Sequence, residues 1–382
     1  MPKTSPVKAR QNAIANAQSV VVKVGTRVLT GSDGKLDRRR VDVLAAGLCR
    51  IADSGRQTVM VSSGAVGAGL GKLGLSSRPA GLAQLQAVAA VGQTDLIQAY
   101  ESALAKSGRH AAQVLLTLND LQHRSAYLNV RNALSAIHQF GAIAVVNEND
   151  SVAVDELMTT FGDNDRMAAQ VAGLLSNALL IILSDVDGLY DGPPDHANCQ
   201  RIDLVTKLDD KIYGLAQDHI GGVSKGGMSS KLDAAKIATS HGHPTIIGPG
   251  RDDDVLDRIM NCDDVGTLFL PPEKSIRGRR RWIGSSARVE GYLYLDDGAV
   301  VAVTQQGKSL LAIGVTKVDG QFDAGAVIAV CDASGNQIAK GLTNYPSMEI
   351  VKIIGKPSDQ IEAVLGHSPY ESVIHRDNLA VE

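Results

Sequence analysis

The sequence predicts an α/β fold, a mostly parallel sheet sandwiched by helices, followed by a small β-rich domain. Three features predict it. Between Ser19 and about Leu270, short β-branched runs alternate with amphipathic helical stretches. The runs are continuously apolar, as suits strands buried on both faces rather than on one. Beyond Trp282 the texture changes to short apolar runs separated by glycine turns.

The strand candidates of the first region are SVVVKVG, TVMVSSG, AAQVLLT, AIAVVNEND, ALLIILSD and PTIIGPG. Stretches such as Arg38 to Ala52 and Arg124 to Gln139 carry helical periodicity and supply right-handed crossovers between parallel strands. In such a sheet, ligands gather at the carboxyl ends of the strands. Periodicity breaks at PPEKSIRGRRR, where two prolines and five cations replace it, so residues 271–281 read as a basic linker. The runs GYLYLDDGAVVAV, SLLAIGV, AVIAVCDASGNQIAKGL and MEIVKII then read as strands of the second domain. The expected division is a catalytic domain at 1–270, the linker, and a β-rich domain with a polar tail at 282–382.

Composition narrows the function. The 382 residues are 44% apolar with a formal charge of -3, which excludes a disordered chain and a nucleic-acid binder driven by net charge. The longest apolar stretches, such as Ala178 to Leu183, fall far short of the roughly 20 residues that cross a bilayer, so no membrane contact is expected. The opening MPKTSPVKARQNAIANAQ has cations but no apolar core, and reads as a frayed or helical leader rather than a signal peptide. A cytoplasmic location is the expectation. Cys49, Cys199, Cys262 and Cys331 are widely spaced with no CxxC pair, which fits buried or surface thiols and neither a disulfide framework nor a zinc site.

Five constellations carry chemistry. Lys23 to Thr26, KVGT, closes the first strand; a glycine there lets backbone N–H groups approach an anion beside a fixed positive charge, although a lysine before a turn glycine is more often structural. Ser62-Ser63-Gly64-Ala65 closes the next strand, with hydroxyls and amides for a second anion pocket or simply a helix N-cap. Asn147-Glu148-Asn149-Asp150 and Gly162-Asp163-Asn164-Asp165 place acids and amides at strand and helix ends. Those groups suit a substrate ammonium, a metal, or the orientation of lysines, while turn and cap chemistry explains each half separately. Ser184-Asp185-Val186-Asp187-Gly188-Leu189-Tyr190 follows the ALLIIL strand as a nucleotide edge. Lys225-Gly226-Gly227-Met228-Ser229-Ser230-Lys231 opens a helix with a glycine loop able to fold over phosphates.

Two familiar motifs fail. Gly69, Gly71 and Gly74 match GxGxxG with Asp95 about twenty residues on, but the pattern begins well after the strand and Asp95 lies in a helical stretch. Gly307-Lys308-Ser309 lacks the first glycine of a P-loop, Ala302 standing in its place.

Together the segments KVGTRVLTG, VSSGAVGAG, AVGQTDLIQAYE, LLTLNDLQHRSAYLNVRNAL, VVNENDSVA, GDNDRMAAQVA, SDVDGLY and GGMSSKLDAAKIA resemble the amino-acid kinase family. Within it, the likeness is to the branch that carries a C-terminal PUA domain and phosphorylates the γ-carboxylate of L-glutamate. It runs from about Val21 through His375-Arg376-Asp377, with GTLF and RRRW before a PUA-like tail. The resemblance implies that ATP and L-glutamate give ADP and γ-glutamyl phosphate, the first committed step toward proline, with Mg2+ on the nucleotide. By position, Lys23 and Lys231 contact the ATP phosphates and stabilise the transferred group, and Asp165 orients both, with Asp163 in support. Ser63, Asp150 and Asn164 match glutamate-binding positions. Ser184, Asp185 and Lys225, Gly226, Gly227, Met228, Ser229, Ser230 and Lys231 match nucleotide-binding ones. Arg27 stands where the family usually has a serine and Lys225 where a threonine is common, which adds positive charge near the phosphates.

The family also implies a homo-oligomer and feedback inhibition by proline, for which the segment from Gly67 to Gln93 is the expected loop. Rival readings are another family member acting on N-acetylglutamate, aspartate or a nucleoside monophosphate, and an RNA-binding protein using the PUA-like domain. Against the last, the cations Arg277, Arg279, Arg280 and Arg281 fall in the linker and the aromatic content of 3% is low for base stacking.

Overall fold

The computed structural model describes residues 5–153, 163–192, 199–217, 227–272, 283, 288–368 and 370–381. Contacts divide the chain into two compact units, Met1–Asp120 with Tyr127–Ser275, and Leu121–Ala126 with Ile276–Glu382.

Up to Phe269 the elements run α1 (Pro6–Ala15), β1 (Ser19–Val24), α2 (Thr26–Leu29), α3 (Arg38–Asp53), β2 (Gln57–Ser62), α4 (Ala65–Leu73), α5 (Leu82–Ala105), β3 (Ala111–Leu116), α6 (Arg124–Gln139) and β4 (Ile143–Glu148). They continue with α7 (Asp163–Leu174), β5 (Ala178–Ser184), β6 (Leu204–Val205), α8 (Asp210–Gln217), α9 (Gly227–Ser240), β7 (Thr245–Pro249), α10 (Val255–Met260) and β8 (Thr267–Phe269). The sheet order is β3-β4-β2-β1-β5-β7-β8-β6. Every pairing is parallel except β7 with β8. All six residues of β1 and all seven of β5 are buried, as their unbroken apolar runs require.

Register places the site. Val24 of β1 lies level with Ser62 of β2 and Leu183 of β5, and Val61 of β2 level with Val146 of β4. The chain therefore leaves these four strands along one edge, where the motifs at Gly25, Ser63, Asn147 and Ser184 meet. Behind them Val22 of β1 and Ile181 of β5 belong to one apolar cluster with Val41, Leu44 and Leu48 of α3 and Leu96 and Tyr100 of α5.

The glycines after β2 serve packing. A Cβ on Gly92 of α5 would stand 1.8 Å from the Ala65 carbonyl oxygen, and one on Gly69 of α4 would stand 2.0 Å from that of Val88. The two helices cross with their backbones touching, and Gly74 closes α4 at φ +65°, so Gly69 and Gly74 of the GxGxxG pattern have structural origins. Gly92→Ala should cost about 1–3 kcal/mol through overpacking. The check is the thermal midpoint, which should fall by several degrees; an unchanged midpoint would contradict the close crossing.

The remaining elements are β9 (Gly291–Leu295), α11 (Asp297–Thr304), β10 (Val315–Asp319), β11 (Val327–Cys331), β12 (Gln337–Leu342), α12 (Ser347–Ile353), α13 (Ile361–Leu365) and β13 (Leu379–Val381). Their five-stranded sheet has the order β10-β9-β11-β12-β13, around a core that includes Leu293, Ile328, Val330, Ile350 and Ile374. Three runs expected to be strands differ. DDGAVVAV forms α11, because Asp296 caps it by accepting from the Ala299 N–H at 2.7 Å. MEIVKII forms α12 after Pro346, with Ile350 and Ile353 buried while Met348 and Val351 are exposed, a helical spacing. In SLLAIGV, Leu310 makes an isolated bridge to Ile374, a 3-10 turn covers Ala312–Gly314, and the strand begins only at Val315.

No helix among the described residues is long and apolar enough to cross a membrane. Cys49, Cys199, Cys262 and Cys331 form no disulfide.

Candidate active site

A cavity of about 360 Å³ opens at the carboxyl edge of β1, β2, β4 and β5. Its floor is an ion triad drawn from three distant segments. Lys23, at the end of β1, puts Nζ 2.6 Å from Asp165 Oδ1. Lys231, in the second turn of α9, puts Nζ 3.9 Å from Asp165 Oδ2. Ser230 donates its hydroxyl to Oδ2 at 2.9 Å. Lys231 also donates to the Gly227 carbonyl at 2.6 Å, which folds its side chain back over the first turn of α9.

Lys23 is 7% and Asp165 2% exposed, so this is a buried charge cluster, in which pairing must offset desolvation. Burial pushes the Asp165 carboxyl up, but the charges of Lys23 and Lys231 and the hydrogen bonds from Lys23 and Ser230 outweigh it and hold it below the usual carboxylate range. Burial lowers the Lys231 ammonium from its ordinary value; Lys23 and Arg27 add to that, while Asp165 and Asp185 oppose it. Two cations share one carboxylate, which leaves a local excess of positive charge facing the cavity.

The walls suit anions as well. Gly25 precedes α2, and Gly64 precedes α4 in the left-handed region at φ +103°. Gly64 is the cap position and α4 has no side-chain cap bond there, so Ser63 is not spent as an N-cap. With the start of α9 at Gly227, helix N-termini border the cavity, and their unpaired N–H groups favour negative charge.

On one side lies a chain of buried amides. Asn164 Nδ2 donates to Ser63 Oγ at 3.1 Å and to Asn147 Oδ1 at 3.3 Å, and Asn147 Nδ2 donates to Gln93 Oε1 at 2.7 Å. Asp150 lines the same side, and burial raises its carboxyl to about 6 against the lowering influence of Arg78. On the other side, Ser184 donates to Asp185 Oδ1 at 3.0 Å, and Arg27 Nη1 donates to Asp185 Oδ2 at 2.8 Å. Burial raises the Asp185 carboxyl, but the bonds from Arg27 and Ser184 bring it below its ordinary value. The Gly250 N–H reaches the Ser184 carbonyl at 2.6 Å and Arg251 reaches the Arg27 carbonyl at 2.6 Å, so the loop after β7 braces this rim.

The structure thus brings Lys23, Ser63, Asp150, Asn164, Asp165, Ser184, Asp185, Gly227, Ser230 and Lys231 to one cavity. Met228 and Ser229 do not line it; the helical turn carries them past while Gly227, Ser230 and Lys231 face it. Lys225 and Gly226 lie outside the described residues, as does the side chain of Asp163. Sequence reasoning missed Gln93 and Arg78. Gln93 sits inside a long apolar helix with no turn or cap to mark it, and Arg78 in a loop whose only signal is a following proline.

The arrangement can hold a polyanion over two lysines, with an amide-lined compartment on one flank and a serine-aspartate edge on the other. Comparisons with known proteins agree with it. The family model described as the amino acid kinase family matches residues 18–249, and that of the PUA domain matches residues 291–365. A glutamate 5-kinase of Rhodopirellula baltica is 62% identical over 372 residues, covering 97% of this chain and 96% of the relative. One of Caldanaerobacter subterraneus is 43% identical over 363 residues, covering 95% of this chain and 97% of the relative. One of Geobacter sulfurreducens is 42% identical over 373 residues, covering 97% and 100%. This chain belongs to the amino acid kinase family and carries a PUA domain after its kinase region.

Proposed function

We propose that the chain transfers the γ-phosphoryl group of ATP to the γ-carboxylate of L-glutamate, giving ADP and γ-glutamyl phosphate, the first step of proline biosynthesis. The observation that carries the reading is the pair Lys23 and Lys231 held on Asp165 at the floor of one cavity. The relatives' shared name supports glutamate as the acceptor, and the family supports ATP as the donor.

The chemistry fits those residues. A glutamate side chain has an ordinary pKa near 4.3, so its carboxylate is a nucleophile at neutral pH and needs no general base. The barrier is charge. Bringing a carboxylate to an anionic phosphate costs about 4 kcal/mol per charge pair at 4 Å and an effective dielectric of about 20. Lys23, Lys231 and the amides beyond Gly25 and Gly64 offset that cost and hold the phosphoryl group as the bond to ADP breaks and the bond to the carboxylate oxygen forms. Ser184, Asp185 and the start of α9 flank the nucleotide, whereas Ser63, Asp150 and Asn164 flank glutamate.

Magnesium fits as an ion carried in by the nucleotide. Asp165 is held by lysines and Asp185 by Arg27, and among the described residues no three His, Cys, Asp or Glu form a cage. Phosphate oxygens and water would supply most of its shell, as the ion prefers, with Asp185 the carboxylate on the nucleotide side. When bound it neutralises charge on the phosphate oxygens.

Trapping with hydroxylamine tests the reading. Incubation with ATP and each of glutamate, aspartate and N-acetylglutamate should give an acyl hydroxamate with glutamate, matched by ADP. A hydroxamate formed with one of the other acids and not with glutamate would refute it.

Asp150 gives the reading a pH signature. An ammonium on the substrate needs the carboxylate, yet the free protein holds that carboxyl at about 6. Below that value, binding must first expel a proton, so kcat/KM for glutamate should fall up to about tenfold per unit between pH 6 and 5. Glutamate itself stays mostly ionised over that window. Asp150→Asn should weaken glutamate and flatten the profile. A variant with unchanged KM and the same acid limb would remove Asp150 from the binding role.

A further inference from the structure

The buried amide chain ends on a residue that touches no cavity wall. Gln93 of α5 is 8% exposed and does not line the site, and its Oε1 accepts from Asn147 Nδ2 at 2.7 Å. An amide oxygen only accepts and an amide nitrogen only donates, so with Gln93 Oε1 on this side Asn147 turns its nitrogen toward Gln93. Its Oδ1 is turned toward Asn164, where it accepts one hydrogen of Nδ2 at 3.3 Å. The second hydrogen of that nitrogen goes to Ser63 Oγ at 3.1 Å. With its oxygen already accepting, Ser63 keeps its own hydrogen to donate into the cavity, which it lines.

The polarity matters because the chain has a mirror state. Reversing all three amides would make Asn164 an acceptor for the Ser63 hydroxyl. The serine would then have only lone pairs to offer, which suits an ammonium and repels a carboxylate. In the low dielectric around these groups, each residue 8% exposed or less, a wrongly oriented partner costs the full desolvation of the group it leaves unpaired.

We propose that Gln93 is a positioning residue for acceptor recognition: its side-chain oxygen sets the Asn147 and Asn164 amides so that Ser63 presents a hydroxyl donor to a carboxylate of the substrate. The place of Gln93 in the fold supports this. It follows Gly92, whose missing side chain lets α5 lie against α4 next to the Ser63–Gly64 turn, so the relay is anchored to the same backbone contact that places the serine.

The inference rests on the assignment of Ser63 and Asn164 to the acceptor side. Its test is steady-state kinetics of the full chain with two substitutions. Gln93→Met keeps the length and removes the acceptor; Gln93→Glu keeps an acceptor at the same point. Gln93→Met should raise KM for glutamate roughly tenfold, the loss of about one hydrogen bond, with KM for ATP unchanged. Gln93→Glu should stay within about threefold of the parent. In a Ser63→Ala background, Gln93→Met should add little, because the relay then has no hydroxyl to set. Equal losses in the Met and Glu variants, a parallel rise in KM for ATP, or full additivity with Ser63→Ala would each overturn the proposal. If hydroxamate trapping on the parent protein finds a different carboxylic acid as acceptor, the same series is read on that acid's KM. Failure of the glutamate reading is thereby separated from failure of the relay.

Discussion

Lys231→Ala and Lys23→Ala should each lower kcat by roughly 10²–10³-fold, the usual loss when one donor to developing charge is removed, while KM for glutamate changes little. The asymmetry follows from where the charges sit. Both ammonium groups stand on the Asp165 carboxylate at the floor of the cavity, away from the Ser63–Asn164–Asp150 flank, so in the proposed reaction their charge would act as the phosphoryl group moves rather than when glutamate docks. The two variants should differ in stability. Lys23 is nearly enclosed and makes the 2.6 Å contact, so its removal strands a buried carboxylate, whereas Lys231 at 3.9 Å leaves that carboxylate with its shorter partner. Steady-state kinetics with a thermal melt of each variant is the check. Near-normal kcat in either would remove that lysine from catalysis.

Asp165→Asn should have the second large effect, on stability and activity together. Two ammonium groups would then share a neutral amide inside the protein, and breaking a buried pair in this way costs about 3–5 kcal/mol. ATP should recover part of the loss, because its phosphates return negative charge to the lysines, so nucleotide should raise the midpoint of the variant more than that of the parent. The pH dependence has a definite sign. Asp165 is held below its ordinary range in the folded chain, so the stability it contributes is fully present above about pH 4. It disappears as pH falls through the lowered value. The gap between parent and variant should be constant near neutrality and close only in strong acid. A variant as stable as the parent at pH 7, with no extra response to ATP, would contradict the triad.

Much of this was legible because strand ends in a parallel sheet are where ligands bind. Lys23, Ser63 and Ser184 each follow an unbroken apolar run, and the register that brings those runs side by side puts the three residues on one edge. What adjacency in sequence could not reveal is pairing. Asp165 lies 142 positions from Lys23 and 66 from Lys231, and only the folded sheet makes one carboxylate their common partner. Gln93 was invisible for the same reason, being 54 positions from Asn147 on the buried face of an amphipathic helix, between Gly92 and Leu96. Arg27 stood out as a departure from the family, yet its partner Asp185 is 158 positions away.

The C-terminal unit was read less well. Runs such as MEIVKII are too short for their period to separate strand from helix, and Pro346 and the Asp296 cap decided what periodicity could not. The three residues of β8 were likewise too few to mark a strand, and its antiparallel pairing with β7 had no local signature.

In the proposed reaction a substrate carboxylate attacks the γ-phosphorus directly over Lys23 and Lys231. Glutamate labelled with oxygen-18 in its γ-carboxylate tests it when the product is trapped by hydroxylamine. Direct attack makes one labelled oxygen the bridge to phosphorus, and hydroxylamine then releases it on inorganic phosphate. Each phosphate released with hydroxamate should carry one labelled oxygen. Phosphate without label, released at the rate of ADP formation, would mean that water is the acceptor and the carboxylate is not.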